Sequence, residues 1–404
     1  MNAPQCIAYG KLMAGHISVP DAGLTVAATA TSAASVNAGI RPVNPAIGQW
    51  QSIPTLFADD TTGCTLPFDI FSAIFYLISR YEEYQSFSPD KHNRFAAVES
   101  ILFKNGWLQR PLVDEWIHAF GLLLQQHFGV TITPQPFVFQ PTYDIDMAYS
   151  HVHKGIGRIA GAYLRALLKG DMEQVAERTR VLKKKVADPY DSFAWLRQQH
   201  AQRRLHPLYF VLSALKTTPF DKNIHPRHPA MTRVTRQLAK EGTVGIHPSY
   251  YADRYDVAAK ETNTLKEVIG QPIAISRQHY IRLMIPVTYR LLMDINITDD
   301  YSMGYGTHLG FRAGTGSSFP WYDLAKESVT PIRTHPFCFM DTTAHFDMGM
   351  SCEEAFRQLN DMTAKLRSVN STLITIFHNF SLGTDKQWTG WNTAYATFLE
   401  SMTK

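Results

Sequence analysis

From Phe137 onward the chain repeats one pattern: a short apolar run, a polar residue at or just past its end, then a stretch with helical periodicity. The runs are Val138–Asp144, Pro207–Leu212, Thr243–His247, Ile273–Ser276, Ile295–Thr298 and Leu373–His378. Between them, Phe193–His200, Met231–Lys240, Ala258–Val268 and Cys352–Val369 carry apolar residues at helical spacing. Strands of four to seven residues alternating with helices build an α/β fold around a parallel sheet or barrel. In such folds the C-terminal strand ends lie on one rim and carry the chemistry. Here those ends hold Asp144, His247, Arg277, Asp299 and His378.

The first third reads differently. Residues 1–50 are small and weakly patterned. Pro67 opens a predicted helix over Phe68–Tyr84, Asn105-Gly106 marks a turn, and Pro111 opens a second amphipathic helix through Trp116 and Leu124. The proline-rich link Thr133–Pro141 sets a boundary between an N-terminal α/β domain, 1–132, and a second domain, 137–404. At 404 residues and 45% apolar content, the chain is long enough for both to bury a core. Its formal charge of +4 is too small to argue for nucleic acid. Cys6, Cys64, Cys338 and Cys352 form no CxxC pair, so buried free thiols and a reducing compartment are expected. Met1–His16 lacks the basic-then-apolar form of a signal peptide, and the uncharged Ala22–Ile40 run is too poor in large apolar residues to span a bilayer. A cytoplasmic protein is the expectation.

Five segments bear chemistry. In Thr142-Tyr143-Asp144-Ile145-Asp146, residues two apart share a strand face, so the carboxylates converge and can divide the work of base and metal ligand. A strand-end turn with two solvated aspartates fits the same spacing. His247 and His378, each at a strand end, are candidate ligand and general acid, though a packed structural histidine is the commoner use. In Ser276-Arg277-Gln278-His279-Tyr280, Arg277 can orient a carboxylate and His279 can be a ligand. Asp299–Tyr305 and Gly310-Phe311-Arg312-Ala313-Gly314 suit an aromatic sugar-binding wall or a structural glycine-rich loop.

Taken in order, these segments resemble the polysaccharide deacetylase family, the NodB-homology domain of carbohydrate esterase family 4, over about two thirds of the chain. The resemblance extends to a bacterial subgroup through TYDID, GIHPSY, SRQHY, DYSMGY and FRAG. It also covers N-terminal segments at Leu66–Phe71, Ser79–Tyr84 and Lys104–Gly106, although the chain begins short for that domain. It implies a distorted parallel (β/α) NodB-like barrel preceded by a smaller α/β domain. It implies a hydrolase that removes an acetyl group from a carbohydrate, with a divalent metal, zinc before others. By motif, Asp144 would be the base, Arg277 its orienting partner, His378 the acid, and Asp146 and His247 metal ligands. Tyr251, Asp300, Tyr305 and Arg312 are the candidate substrate contacts. One position departs: the family's second metal histidine falls at Tyr251, whose phenol is a poor ligand at neutral pH. His279, or a histidine of the pair His151 and His153, is then the candidate replacement. If none replaces it, the alternative is a catalytically degenerate carbohydrate-binding or glycan-assembly protein.

Finally, residues 151–185 hold nine Lys or Arg against three acids, with an apolar stripe that includes Ile156, Leu164 and Leu168. A helix packed on its own domain and a peripheral contact with an anionic membrane both fit this pattern.

Overall fold

The computed structural model describes residues 7–9, 17–20, 40, 42–60 and 63–403. Cys6, most of the 1–16 segment and residues 22–39 of the uncharged run lie outside the described residues.

The N-terminal part begins with the paired parallel strands β1 (Ile7–Tyr9) and β2 (Ile17–Val19), then the antiparallel hairpin β3 (Ile47–Trp50) and β4 (Ile53–Leu56). Three helices follow: α1 (Ile70–Ile78), α2 (Ile101–Lys104) and α3 (Leu112–Phe128). The helix expected over Phe68–Tyr84 is shorter. Asp69 caps it by accepting from the Phe71 and Ser72 amides, and the chain breaks at Arg80, whose φ of 57° is left-handed. Tyr81–Tyr84 continues as a single 3-10 turn.

Strand β5 (Val138–Ile145) starts the main sheet. Next come helices α4 (Ile156–Leu168), α5 (Met172–Leu182) and α6 (Phe193–Arg203), strand β6 (Leu208–Leu212), α7 (Pro229–Glu241) and β7 (Thr243–His247). Then follow α8 (Tyr255–Ile269), β8 (Ile275–Ser276), α9 (Val287–Asp294), β9 (Asp299–Met303), β10 (Phe319–Asp323), β11 (Ser328–Pro336) and β12 (Phe339–Met340). Helix α10 (Cys352–Ser368), strand β13 (Thr372–His378) and α11 (Trp391–Met402) complete the chain.

Nine strands form one sheet in the order β10-β11-β9-β8-β7-β6-β5-β13-β12. Every pairing is parallel except β10 with β11, and the sheet curls into a half-barrel, the α/β class expected. A continuous core joins this sheet to the N-terminal helices, with Trp116, Phe68 and Leu77 packed in one cluster with Tyr143, Phe311 and Trp321.

One expected strand is absent. Ile295–Thr298 follows α9, with Ile295 as its C-cap and a turn through Asn296, at φ 63°; Ile295 and Ile297 plug the core from there. The strand is β9, one step later; both its faces are buried, and one is polar: Asp300 accepts from Ser276 Oγ at 2.7 Å and Ser302 Oγ at 2.9 Å. The basic 151–185 stretch is two helices separated at Gly170 rather than one, and Ile156, Leu164, Leu167, Leu168 and Met172 are exposed there. Cys64, Cys338 and Cys352 are free thiols, with only Cys338 buried. Among the described residues no helix is long and apolar enough to cross a membrane.

Candidate active site

Parallel pairing puts the strand ends on one rim. Asp144 of β5 stands opposite His378 of β13 in register, His247 ends β7 beside Leu212 of β6, and Arg277 follows β8. Alternation along β5 turns Thr142 and Asp144 to this face. It turns Tyr143 to the other, where its hydroxyl meets His200 Nε2 at 2.6 Å and Tyr395 Oη at 2.7 Å. Gly245 of β7 matters for what lies beneath. A Cβ there would stand 2.9 Å from Phe210, whose ring supports the Arg277 guanidinium at 4.2 Å.

Arg277 is fully buried. Its Nη1 donates to Asp144 Oδ1 at 2.8 Å and to Thr142 Oγ1 at 2.7 Å, and its Nε donates to the Tyr301 carbonyl at 2.9 Å. Asp144 is thereby fixed with Oδ2 3.8 Å from His247 Nε2. Each of the three histidines here has one ring nitrogen engaged behind it. His247 Nδ1 lies 2.5 Å from the Arg277 carbonyl, His279 Nδ1 3.0 Å from Asp221 Oδ1, and His378 Nδ1 2.7 Å from Asp341 Oδ1. Those acceptors assign the proton to Nδ1 and leave Nε2 facing forward.

The three Nε2 atoms face Asp146. His247 Nε2 is 3.3 Å from Oδ1, and His279 and His378 are 3.5 and 3.6 Å from Oδ2. Asp146 Oδ1 is buried and makes no hydrogen bond, so the 3.3 Å approach of His247 is close without being aligned as a donor. The ligand atoms of Asp146, His247 and His279 all lie within 4.8 Å of one another. Two ligands about 2.1 Å from one ion at tetrahedral angles stand about 3.4 Å apart. The spacing, the forward Nε2 atoms and the orphan carboxylate oxygen together fit a divalent ion, which on binding would displace any proton from His247 and His279 Nε2. Burial alone would raise the Asp146 carboxyl, but the facing His279 and His247 hold it well below the usual carboxylate range. Burial would lower His279, yet Asp146 and Asp221 push it up to about 9; Asp341, with Asp146 and Asp144, does the same for His378.

The third member of the cluster is therefore His279. Tyr251 is half exposed and packs edge-on to Phe220 and Tyr250, outside the cluster. His151 pairs with Glu177 at 3.1 Å and the His153 ring lies tilted against that of His228, both elsewhere. The substrate wall expected from Asp300, Tyr305 and Arg312 does not match their positions. All three are buried and none lines the cavity above the cluster: Asp300 is held by Ser276 and Ser302, and Arg312 is paired to Glu83 at 2.6 Å.

That cavity measures about 330 Å³ and opens over Asp144, Asp146, His247, His279 and His378. Its walls include Lys91, His92 and Arg94 from the N-terminal part, and Phe220, Tyr280 and Phe346. Sequence reasoning missed the N-terminal contribution, whose only mark was the polar run 90–94. It also missed Asp341 and Asp221. Asp341 ends the apolar run Phe337–Met340 as the other strand-end residues end theirs; Asp221 sits in a loop with no such mark.

A family model described as "Family of unknown function (DUF7033)" matches residues 17–129. No curated protein matches the chain in sequence. Solved structures similar to it include a Mycobacterium smegmatis protein assigned to the polysaccharide deacetylases, at 12% identity and TM-score 0.43, covering 68% of this chain and 86% of that one. An allantoinase, PuuE, aligns at 11% identity and TM-score 0.42, covering 68% and 88%. A polysaccharide deacetylase of Bacillus cereus aligns at 10% and 0.32, covering 65% and 87%. At these distances the likenesses carry no argument about what the chain does, which rests on the site.

Proposed function

We propose that the chain is a metal-assisted hydrolase that removes an acetyl group from an N-acetylated carbohydrate. The observation that carries this reading is the convergence of Asp146, His247 and His279 beside an arginine-held aspartate and an aspartate-held histidine, on the floor of an open cavity. Asp146, His247 and His279 would hold a divalent ion, and zinc suits one carboxylate with two imidazoles. Such an ion, when bound, supplies Lewis-acid polarisation of the acyl oxygen and acidifies water.

The chain's own groups do the rest. Asp144 takes the proton of the attacking water, and Arg277 holds its other oxygen so that the basic one faces the cavity. His378 carries a proton on Nε2 toward the departing amine, while Asp341 holds Nδ1 and stabilises the cation. Water adds to the amide carbonyl, the C–N bond breaks, and acetate and a free amine leave. Phe220, Tyr280 and Phe346 offer ring faces to a sugar at the cavity wall.

The test is metal analysis of the purified protein together with acetate release from N-acetylated oligosaccharides. One equivalent of metal per chain and acetate released in proportion to enzyme are expected, both lost in His279→Ala. Retained sugar binding with stoichiometric metal and no acetate release would overturn the reading.

A further inference from the structure

A second cavity, about 220 Å³, opens beside α4 and α5. Its lining includes Lys154, Arg158, Arg165, Arg178 and Lys222, and no carboxylate. The nearby acids already have partners at its edge, Ser150 and His151 being part of the lining. Glu177 pairs with His151 at 3.1 Å, and Asp188 accepts from the Ser150, His151, Val152 and Tyr190 amides at 2.7 to 3.1 Å. Five cations around one small space repel each other and destabilise the fold unless an anion joins them.

Arg178 adds an independent sign. It is only 9% exposed, it lines the cavity, and its Nε is buried without a hydrogen-bond partner. An arginine donor is seldom left so, because burying it unpaired costs free energy. Lys154 agrees: burial, then the neighbouring Arg158, lower its ammonium to about 8. Arg158 itself is braced, donating to the Lys222 and Asn223 carbonyls at 2.9 and 3.4 Å, so the cationic array is built in place.

Planar arginine forks together with point-charge lysines match the oxygens of a multiply charged anion, and a single carboxylate would leave most of them unpaired. Lys222 lines this cavity and also the cavity over Asp144 and Asp146. We propose that the basic cavity is a phosphate site that takes the phosphate or diphosphate of the substrate, whose acetylated sugar occupies the neighbouring cavity. The substrate class is then a sugar phosphate or sugar diphosphate, and this assignment rests on the hydrolase reading above. The anion site itself does not.

Two measurements separate them. Calorimetric titration of the full chain with inorganic pyrophosphate is expected to show saturable binding, weakened at least about tenfold in Lys154→Gln and again in Arg165→Gln. Both side chains are at least partly solvent-exposed, so these variants should fold; Arg178→Gln, checked by thermal melting, should weaken it further. Acetate release is then compared for an N-acetylhexosamine 1-diphosphate and the same sugar without phosphate. The phosphorylated sugar is expected to have the higher kcat/KM by about tenfold or more, with the preference removed in Lys154→Gln and turnover of the plain sugar unchanged. No pyrophosphate binding, or binding unaffected by the variants, overturns the site. Binding without any substrate preference overturns the substrate class. Variant-sensitive binding with no acetate from either sugar supports the anion site while the hydrolase reading fails.

Discussion

Among the described residues, two buried clusters of charge are built to opposite rules. In the first, Arg80 donates to Glu83 at 2.8 Å and Glu82 at 2.7 Å, and Arg312 donates to both oxygens of Glu83 at 2.8 and 2.6 Å. Two cations face two carboxylates, all are buried, and their remaining donors reach the Leu77, Gly304 and Leu283 carbonyls. In the second, Asp146 keeps one oxygen without a hydrogen bond while three imidazoles stand 3.3 to 3.6 Å away, beneath an open cavity. The first cluster is complete and ties the N-terminal part to the loop after β9. The second is complete only when something enters it. Buried charge alone did not separate them; satisfaction and access do.

The largest effect belongs to the incomplete cluster. Asp144→Asn keeps the Arg277 contact through the amide oxygen and removes the base. The expected loss in kcat is on the order of 10³ to 10⁴-fold, with metal content and melting temperature near wild type. A loss of only a few fold would move the base elsewhere. The complete cluster should respond in the other currency. Burial would raise the Glu83 carboxyl, but Arg312 and Arg80 hold it below the usual range. Glu83→Gln leaves those two guanidiniums short of their counter-charge, at a cost of about 3–5 kcal/mol in urea unfolding. Metal content per folded chain should not change. A drop in metal content would mean that the two clusters are coupled through the loop that joins them.

Glu261 sharpens the contrast, because it is a buried carboxylate with no cation. It accepts the Ser249 amide at 2.8 Å, and burial pushes it up to about 7 against an ordinary 4.5. The folded protein therefore binds this proton more tightly than the unfolded chain does. The associated stability is fully present below pH 4.5 and is lost as pH rises through about 7. Glu261→Gln keeps a neutral group at every pH. It should match wild type in urea unfolding at pH 4 and exceed it at pH 8 by roughly 3 kcal/mol. Equal stabilities at pH 8 would show that the carboxylate is solvated in the fold.

Much of the candidate site was legible because parallel strands advertise themselves. A fully buried strand is a short apolar run, and the residue that ends it lies on the rim. That logic located Asp144, His247, Arg277 and His378 without any knowledge of register. It failed where burial is polar. Strand β9 buries Asp300 and Ser302 against Ser276, so the apolar run one step earlier was read as the strand. It failed again where a loop reaches across the fold. Asp221 meets His279 across 58 residues and Glu83 meets Arg312 across 229, and no local pattern encodes either. Asp300 and Arg312, expected as groove residues, are a carboxylate inside strand β9 and a guanidinium in the glycine-rich loop after it, and their partners Ser276 and Glu83 are set by tertiary contacts.

The smallest expected effect is the most instructive about Tyr251. It stands four residues after His247, where the family resemblance implies a second ligand histidine, and that departure from the family pattern suggested a broken site. The chain after His247 turns outward instead: the Tyr250 amide donates to Asp221 at 2.8 Å, and Tyr251 projects beside Phe220, half exposed. His279, following the neighbouring strand β8, fills the third position, and Asp221 holds both it and the turn that carries Tyr251 outward. Tyr251→His should therefore leave metal stoichiometry, metal affinity and kcat unchanged within about twofold, since an exposed substitution away from buried groups costs little. His279→Ala should abolish stoichiometric metal. If Tyr251→His instead raised metal affinity, the turn would have to swing inward and His279 would lose its place as the third ligand.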